Sequence, residues 1–158
     1  DAFARDFANA GGAGLVTPDL TPDEAHDWLV ASEDHGLDRI FLVSPSSTDE
    51  RIVSTTQACR GWVYATAVMG VTGARQQTSS QAPELVSRLR QLAPDTLVGV
   101  GLGVSNGAQA AEVAGFADAV IVGSALVKTL IAAEDAGTPD DLAALRAVVA
   151  DLAAGVRV

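Results

Sequence analysis

The sequence predicts an α/β fold built on a parallel sheet, and three observations carry that expectation. Five short apolar runs recur along the 158 residues, at 14–17, 39–43, 62–68, 96–102 and 119–122. None alternates cleanly between apolar and polar residues, which is the pattern of parallel strands buried on both faces. The stretches between them space their apolar residues at a helical period and open on helix-start signals. Strands alternating with helices imply right-handed crossovers between parallel neighbours.

The elements follow in order. Asp1-Ala2-Phe3-Ala4 reads directly as helix with no starting Met before it, so the expectation is a truncated or processed chain. After the first run, Thr21-Pro22-Asp23-Glu24 combines an N-cap, a proline at the first helical position and an acid three residues past the cap. That helix is expected to reach Gly36, a natural stop. After the second run, Ser47-Thr48-Asp49-Glu50 forms another capping box, and Ile52, Thr56 and Cys59 then share a helical face. The third run leads into a polar, serine-rich segment, 75–81, that reads as a flexible lid or as a plain long loop. Ser80 can cap a helix carrying Leu85, Leu89 and Leu92, and Ser105, after the fourth run, one carrying Ala110, Val113 and Ala114. The fifth run is followed by a short helical segment, 124–130, opened by Ser124. The last helix starts near Thr138 and aligns Leu142, Leu145, Val149 and Leu152.

Two architectures fit five strand–helix units: an open doubly wound sheet, or a consecutive piece of an eight-fold barrel. The chain is long enough for one domain with a sizeable core, yet short of the roughly 250 residues of a closed eight-stranded α/β barrel. A net charge of −10 argues against a nucleic-acid partner, which needs a basic face. No apolar run approaches the roughly 20 residues that cross a bilayer, and no signal peptide opens the chain. The lone Cys59 reads as a buried, inert thiol, and no residues have metal-ligand spacing. The expected location is the cytoplasm. His26 and His35 read as solvated residues on an outer helical face. Trp28 is expected to pack its helix on the sheet, and Trp62 to start a strand beside the wall.

The glycine turns suggest chemistry. Gly70-Val71-Thr72-Gly73-Ala74-Arg75, Gly101-Leu102-Gly103 and Gly123-Ser124 each follow a strand-like run. A phosphate needs several N–H donors within about 3 Å, and a side chain at the contact point blocks that approach. Glycine removes the side chain and permits left-handed backbone angles. Gly73, Gly103 and Gly123 are expected at the C-terminal ends of strands, where α/β folds bind ligands, with the amides and hydroxyl of Ser124 facing the anion. A Gly-X-Gly turn after one strand, then Gly-Ser and a short extra helix after the next, is the phosphate arrangement that follows strands seven and eight of a barrel.

On these residues the chain resembles the α subunit of tryptophan synthase. Gly14-Leu15-Val16-Thr17-Pro18-Asp19-Leu20 is similar to the family's fourth strand, and Phe41-Leu42-Val43-Ser44-Pro45-Ser46-Ser47-Thr48 to its fifth. Gly61-Trp62-Val63-Tyr64, continuing to Gly70–Arg75 by way of 65–69, resembles the sixth strand and the mobile loop after it. Val98-Gly99-Val100-Gly101-Leu102-Gly103-Val104 and Val120-Ile121-Val122-Gly123-Ser124 resemble the last two strands. The resemblance implies a (β/α)8 TIM barrel, of which residues 1–158 hold one partial domain with about strands 4–8. It implies cleavage of indole-3-glycerol phosphate to indole and glyceraldehyde 3-phosphate, with a β-subunit partner in an α2β2 assembly. No cofactor is implied here, since pyridoxal phosphate belongs to the partner in this family. By position, Gly73, Gly103, Gly123 and Ser124 would hold the phosphate, Tyr64 would line the cavity and Thr72 would sit in the closing loop. Leu102 stands where many members carry Phe, a smaller wall for the same pocket.

A retro-aldol cleavage needs a placed general acid-base to protonate the indole ring and take the hydroxyl proton. In the family those duties fall to a Glu on the second strand and an Asp in the following loop, neither matched in this sequence. No catalytic residue is therefore assigned. Asp19, the one acid just beyond a strand end, corresponds to a family position near the β-subunit contact. The expectation is an inactive chain that supplies the phosphate-binding part of a lyase. A non-catalytic half-barrel that assembles with another chain is the alternative, since two unguarded edge strands invite pairing. A different phosphate-binding barrel enzyme is a third reading, which the Gly70–Arg75 pattern disfavours.

Overall fold

The computed structural model describes residues 1–66, 81–101 and 103–157. Helix α1 (Ala2–Asn9) precedes strand β1 (Gly14–Val16), and a 3-10 turn (Pro22–Glu24) precedes helix α2 (His26–Asp34). Then come β2 (Asp38–Ile40), β3 (Leu42–Val43), α3 (Asp49–Ala58), β4 (Trp62–Thr66), α4 (Gln81–Leu92), β5 (Leu97–Gly101), α5 (Gly107–Ala114), β6 (Ala119–Ile121), α6 (Ser124–Asp135) and α7 (Ala143–Gly155).

Every described ladder between strands is parallel, and neighbours follow chain order: β1 beside β2, then β3, β4, β5 and β6 in sequence. A doubly wound sheet reverses its order at a switch point. No reversal occurs among the described strands, so they form an arc of a barrel wall. The predicted run 39–43 appears as β2 and β3, divided at Phe41. The Ile40 carbonyl accepts the Thr17 N–H at 3.1 Å, and the Phe41 carbonyl accepts the Tyr64 N–H at 3.0 Å. Successive carbonyls thus serve opposite neighbours, and the run acts as one strand joining β1 to β4.

Local chemistry moved several helix ends. The predicted helix over 21–36 splits because the Thr21 hydroxyl bonds the Glu24 carboxylate at 2.9 Å, side chain to side chain, and caps no amide. A tight 3-10 turn results, and α2 begins only at His26; Gly36, at φ +66°, ends that segment in the left-handed region. In the predicted box the cap falls one residue later than Ser47: Thr48 accepts the Arg51 N–H at 3.2 Å, while the Ser47 hydroxyl accepts the Ser44 N–H. Cys59 lies one residue past α3, where burial pushes its thiol up. Asn106 takes the role assigned to Ser105, its Oδ1 accepting the Gln109 N–H at 3.0 Å. Helix α6 runs on to Asp135, and the last helix starts at Ala143 instead of near Thr138.

The helices cover one face of the arc. Val63, Val98 and Val100 from the strands and Ile52, Leu89 and Val113 from α3, α4 and α5 are fully buried there. The other face is different. Val63 and Ala65 of β4 are buried, whereas Trp62, Tyr64 and Thr66, which alternate with them, are half-buried. In β4 the expectation of burial on both faces therefore holds on the helix side only, whereas in β5 Val98, Gly99 and Val100 are all buried. Trp28 packs against Ala4, Ala31 and Leu37, which ties α2 to α1. His26 is exposed, but His35 stands at the end of α2 with its Nε2 2.8 Å from the Asp1 carboxylate. On α7, Leu152 is buried while Leu142 and Val149 are exposed, so only part of the predicted stripe faces the core.

Candidate anion site at the ends of the strands

The strand register brings the glycine turns together. Thr66 pairs with Gly101, and Gly101 pairs with Ile121. The chain leaves β5 through Gly103 and β6 through Gly123, each two residues past that pairing. The two turns are neighbours on the C-terminal edge, with Tyr64 of β4 on the inner face beside them. Gly73, Thr72 and Leu102, the rest of the Gly70–Arg75 loop, Ser80 and all of 75–81 except Gln81 lie outside the described residues.

The glycines do different jobs. A Cβ on Gly101 would stand 2.0 Å from the Tyr64 Oη, and one on Gly99 would stand 2.6 Å from the Trp62 ring. These two glycines make room for the rings of the neighbouring strand, which stack at 6.1 Å between centroids. Gly101 therefore belongs to the wall and not to an anion loop. Burial against that wall pushes the Tyr64 hydroxyl above its ordinary range. Gly103 has φ +73°, a turn that disfavours any side chain. Gly123 has φ −127° and ψ −74°, outside the left-handed region, and among the described residues a Cβ there would meet nothing within 4 Å. Of the two turn glycines, the left-handed argument thus holds for Gly103 alone.

Two helix N-termini open from these turns. The first amides of α5 are already used: Gly107 N–H donates to Asp151 Oδ2 at 2.6 Å, and Gln109 N–H to Asn106. Helix α6 has no side-chain cap. Its Leu126 and Val127 amides bond the Gly123 carbonyl at 3.0 and 3.2 Å, so the Ser124 and Ala125 amides lie ahead of the first helical bonds. Amides in that position, with the helix dipole behind them, favour an anion. Among the described residues, no group of three His, Cys, Asp or Glu could hold a metal ion, and no helix is long and apolar enough to cross a membrane. Asp19 is exposed on the loop after β1.

Sequence reasoning missed Asn106, Gln109 and Asp151 as the residues that fasten this edge. Asn106 was visible as a second good cap beside Ser105. Asp151 lies 44 residues from its partner and gave no local signal.

A parallel β/α wall whose strands follow chain order, with glycine turns at its C-terminal edge, defines part of an α/β barrel. The sequence model of the family described as tryptophan synthase alpha chain matches residues 1–157, and the chain belongs to that family. It is 64% identical over 157 residues to the tryptophan synthase alpha chain of Acidothermus cellulolyticus, covering 99% of this chain and 57% of that relative. A solved Mycobacterium tuberculosis tryptophan synthase superposes with a TM-score of 0.87 at 59% identity, over 99% of this chain and 56% of that one. The A-subunit from Pyrococcus furiosus keeps a TM-score of 0.79 at 25% identity, over 96% of this chain and 59% of its own. The chain spans a little over half the length of the relatives it matches, and the fold is that of their TIM barrels.

Proposed function

We propose that this chain is the phosphate-holding portion of a carbon–carbon lyase that cleaves indole-3-glycerol phosphate to indole and glyceraldehyde 3-phosphate in tryptophan biosynthesis. The observation that carries the reading is the uncapped start of α6 at Gly123, beside the left-handed turn at Gly103. In this reading the amides at Gly103, Gly123 and Ser124, with Gly73, hold the phosphate. Tyr64 and Leu102 wall the cavity, and Thr72 belongs to the loop that closes on it. Tethering the phosphate converts recognition of one end of the substrate into orientation of the bond to be broken. The proton transfers fall to the Glu and Asp of the family pattern, which these residues do not include. The chain works in the cytoplasm beside a β subunit, in an α2β2 assembly that takes up the indole, and needs no cofactor of its own.

The test is an amide-resolved NMR titration of the chain with glycerol 3-phosphate. Shifts centred on Gly103, Gly123, Ser124 and Ala125 are expected, with α1 and α2 unmoved. A folded spectrum with no such shifts at millimolar ligand contradicts the assignment. The chain alone is expected to release no indole from indole-3-glycerol phosphate, and turnover near that of a complete α subunit would overturn the view that its acids are missing.

A further inference from the structure

The turn after β5 is held from a distance. Gly103 leads to Val104, which is buried in the core, and then to Ser105, whose N–H and hydroxyl both reach Gln109 Oε1, at 2.8 and 3.1 Å. Asn106 caps Gln109 in return. The next amide, Gly107, is fixed by the Asp151 carboxylate from α7. Helices α5 and α7 are in backbone contact there. A Cβ on Gly155 would stand 2.1 Å from the Gly107 carbonyl, and one on Gly107 would stand 2.5 Å from the Asp151 carbonyl. Helix α7 also packs along α6, whose first amides form the other half of the candidate anion site.

We infer that Asp151 is a positioning residue for phosphate binding: it touches no ligand, but its bond to Gly107 sets the relative placement of the Gly103 turn and the start of α6. The inference rests on the phosphate reading above. A carboxylate at a helix N-terminus satisfies both a leading amide and the dipole, so the bond is of the stronger, charge-assisted kind. Because α7 contacts both neighbouring helices, releasing Gly107 lets the two halves of the cradle move independently. An anion that needs donors from both halves then binds a site that is assembled only part of the time.

Glycerol 3-phosphate affinity is measured for the chain and for Asp151→Ala and Asp151→Asn, together with hydrogen exchange at Ser105 and Gly107. Asp151→Ala is expected to weaken binding about tenfold, within the usual range of coupling between sites. Asp151→Asn retains an acceptor oxygen and is expected to stay within about twofold to threefold of the parent. Coupling is reciprocal, so adding ligand to the unaltered chain should slow exchange at Gly107. That arm stands even where the alanine variant does not fold. Affinity unchanged in a folded Asp151→Ala variant, or Gly107 exchange indifferent to bound ligand, overturns the positioning role and leaves the phosphate reading intact. An unaltered chain that binds no glycerol 3-phosphate removes both.

Discussion

Helices α5 and α6 start side by side after adjacent strands, and they treat their leading amides in opposite ways. At α5 the chain fills the space itself, with Asn106 on the Gln109 amide and Asp151 on the Gly107 amide. At α6 the cap is Gly123, without a side chain and, among the described residues, with nothing within 4 Å of where one would begin. Equal dipoles therefore end in unequal surroundings. One end is closed to an outside anion and serves as structure. The other carries no side-chain cap among the described residues.

The largest effect is expected at the closed end. Gly155→Ala forces a methyl against the Gly107 carbonyl, where the contact would be 2.1 Å and both sides are backbone. A destabilisation of about 3 kcal/mol or more is expected in chemical denaturation, at or above the usual cost of overpacking. A change below about 1 kcal/mol would mean that α5 and α7 are not locked as described.

Asn106→Ala should lie in the middle. It removes one side-chain cap, and a loss of about 1 kcal/mol is expected, with α5 fraying seen as faster amide exchange at Gln109. An unchanged midpoint would leave the closed end resting on Asp151 alone.

A smaller effect is expected at the far edge of the same strands. Arg90 donates to Asp118 at 2.8 Å, and the Val98 N–H donates to the same oxygen at 2.7 Å. The Arg90 hydrogen bond is the main reason that the Asp118 carboxyl lies below its ordinary range, against an opposing cost of burial and with help from the Val98 N–H and the Arg90 charge. A depressed carboxylate adds stability above the unfolded-state pKa of about 3.9, and that stability fades as pH falls through the lower folded value. Asp118→Asn should therefore lower stability at neutral pH slightly and flatten the loss on acidification below about pH 4. Parallel acid limbs for the parent and the variant would contradict this assignment.

Much of this arrangement was legible in the sequence, and the failures share a cause. All five strand runs were visible because a buried parallel strand is a local apolar signal, and α3 was placed by the cap at Thr48. Thr21 misled because its hydroxyl found the Glu24 carboxylate before a backbone amide. Ser105 misled because the adjacent Asn106 is an equally good cap. The stripe through Leu142 and Val149 has a helical period, but a period does not say which flank has a neighbour to cover it; those side chains are 37% and 47% exposed. The places of Gly103 and Gly123 just past the ends of strands were legible in the sequence. Gly99 and Gly101 were not understood, because their roles depend on the register that sets Trp62 and Tyr64 over them. The same limit hid Asp151, whose partner comes from tertiary packing.

The open end of α6 is tested most directly by Gly123→Ala, with stability and glycerol 3-phosphate affinity measured on the same sample. The added methyl meets no described residue within 4 Å, so the expected stability change is that of an exchanged N-cap, about 1 kcal/mol. The methyl would occupy the approach of the anion to the Ser124 and Ala125 amides. Losing one charge-assisted hydrogen bond lowers affinity by about tenfold or more. A chain that stays folded and loses affinity is the predicted result. A folded Gly123→Ala chain that binds glycerol 3-phosphate as tightly as the parent would contradict the account.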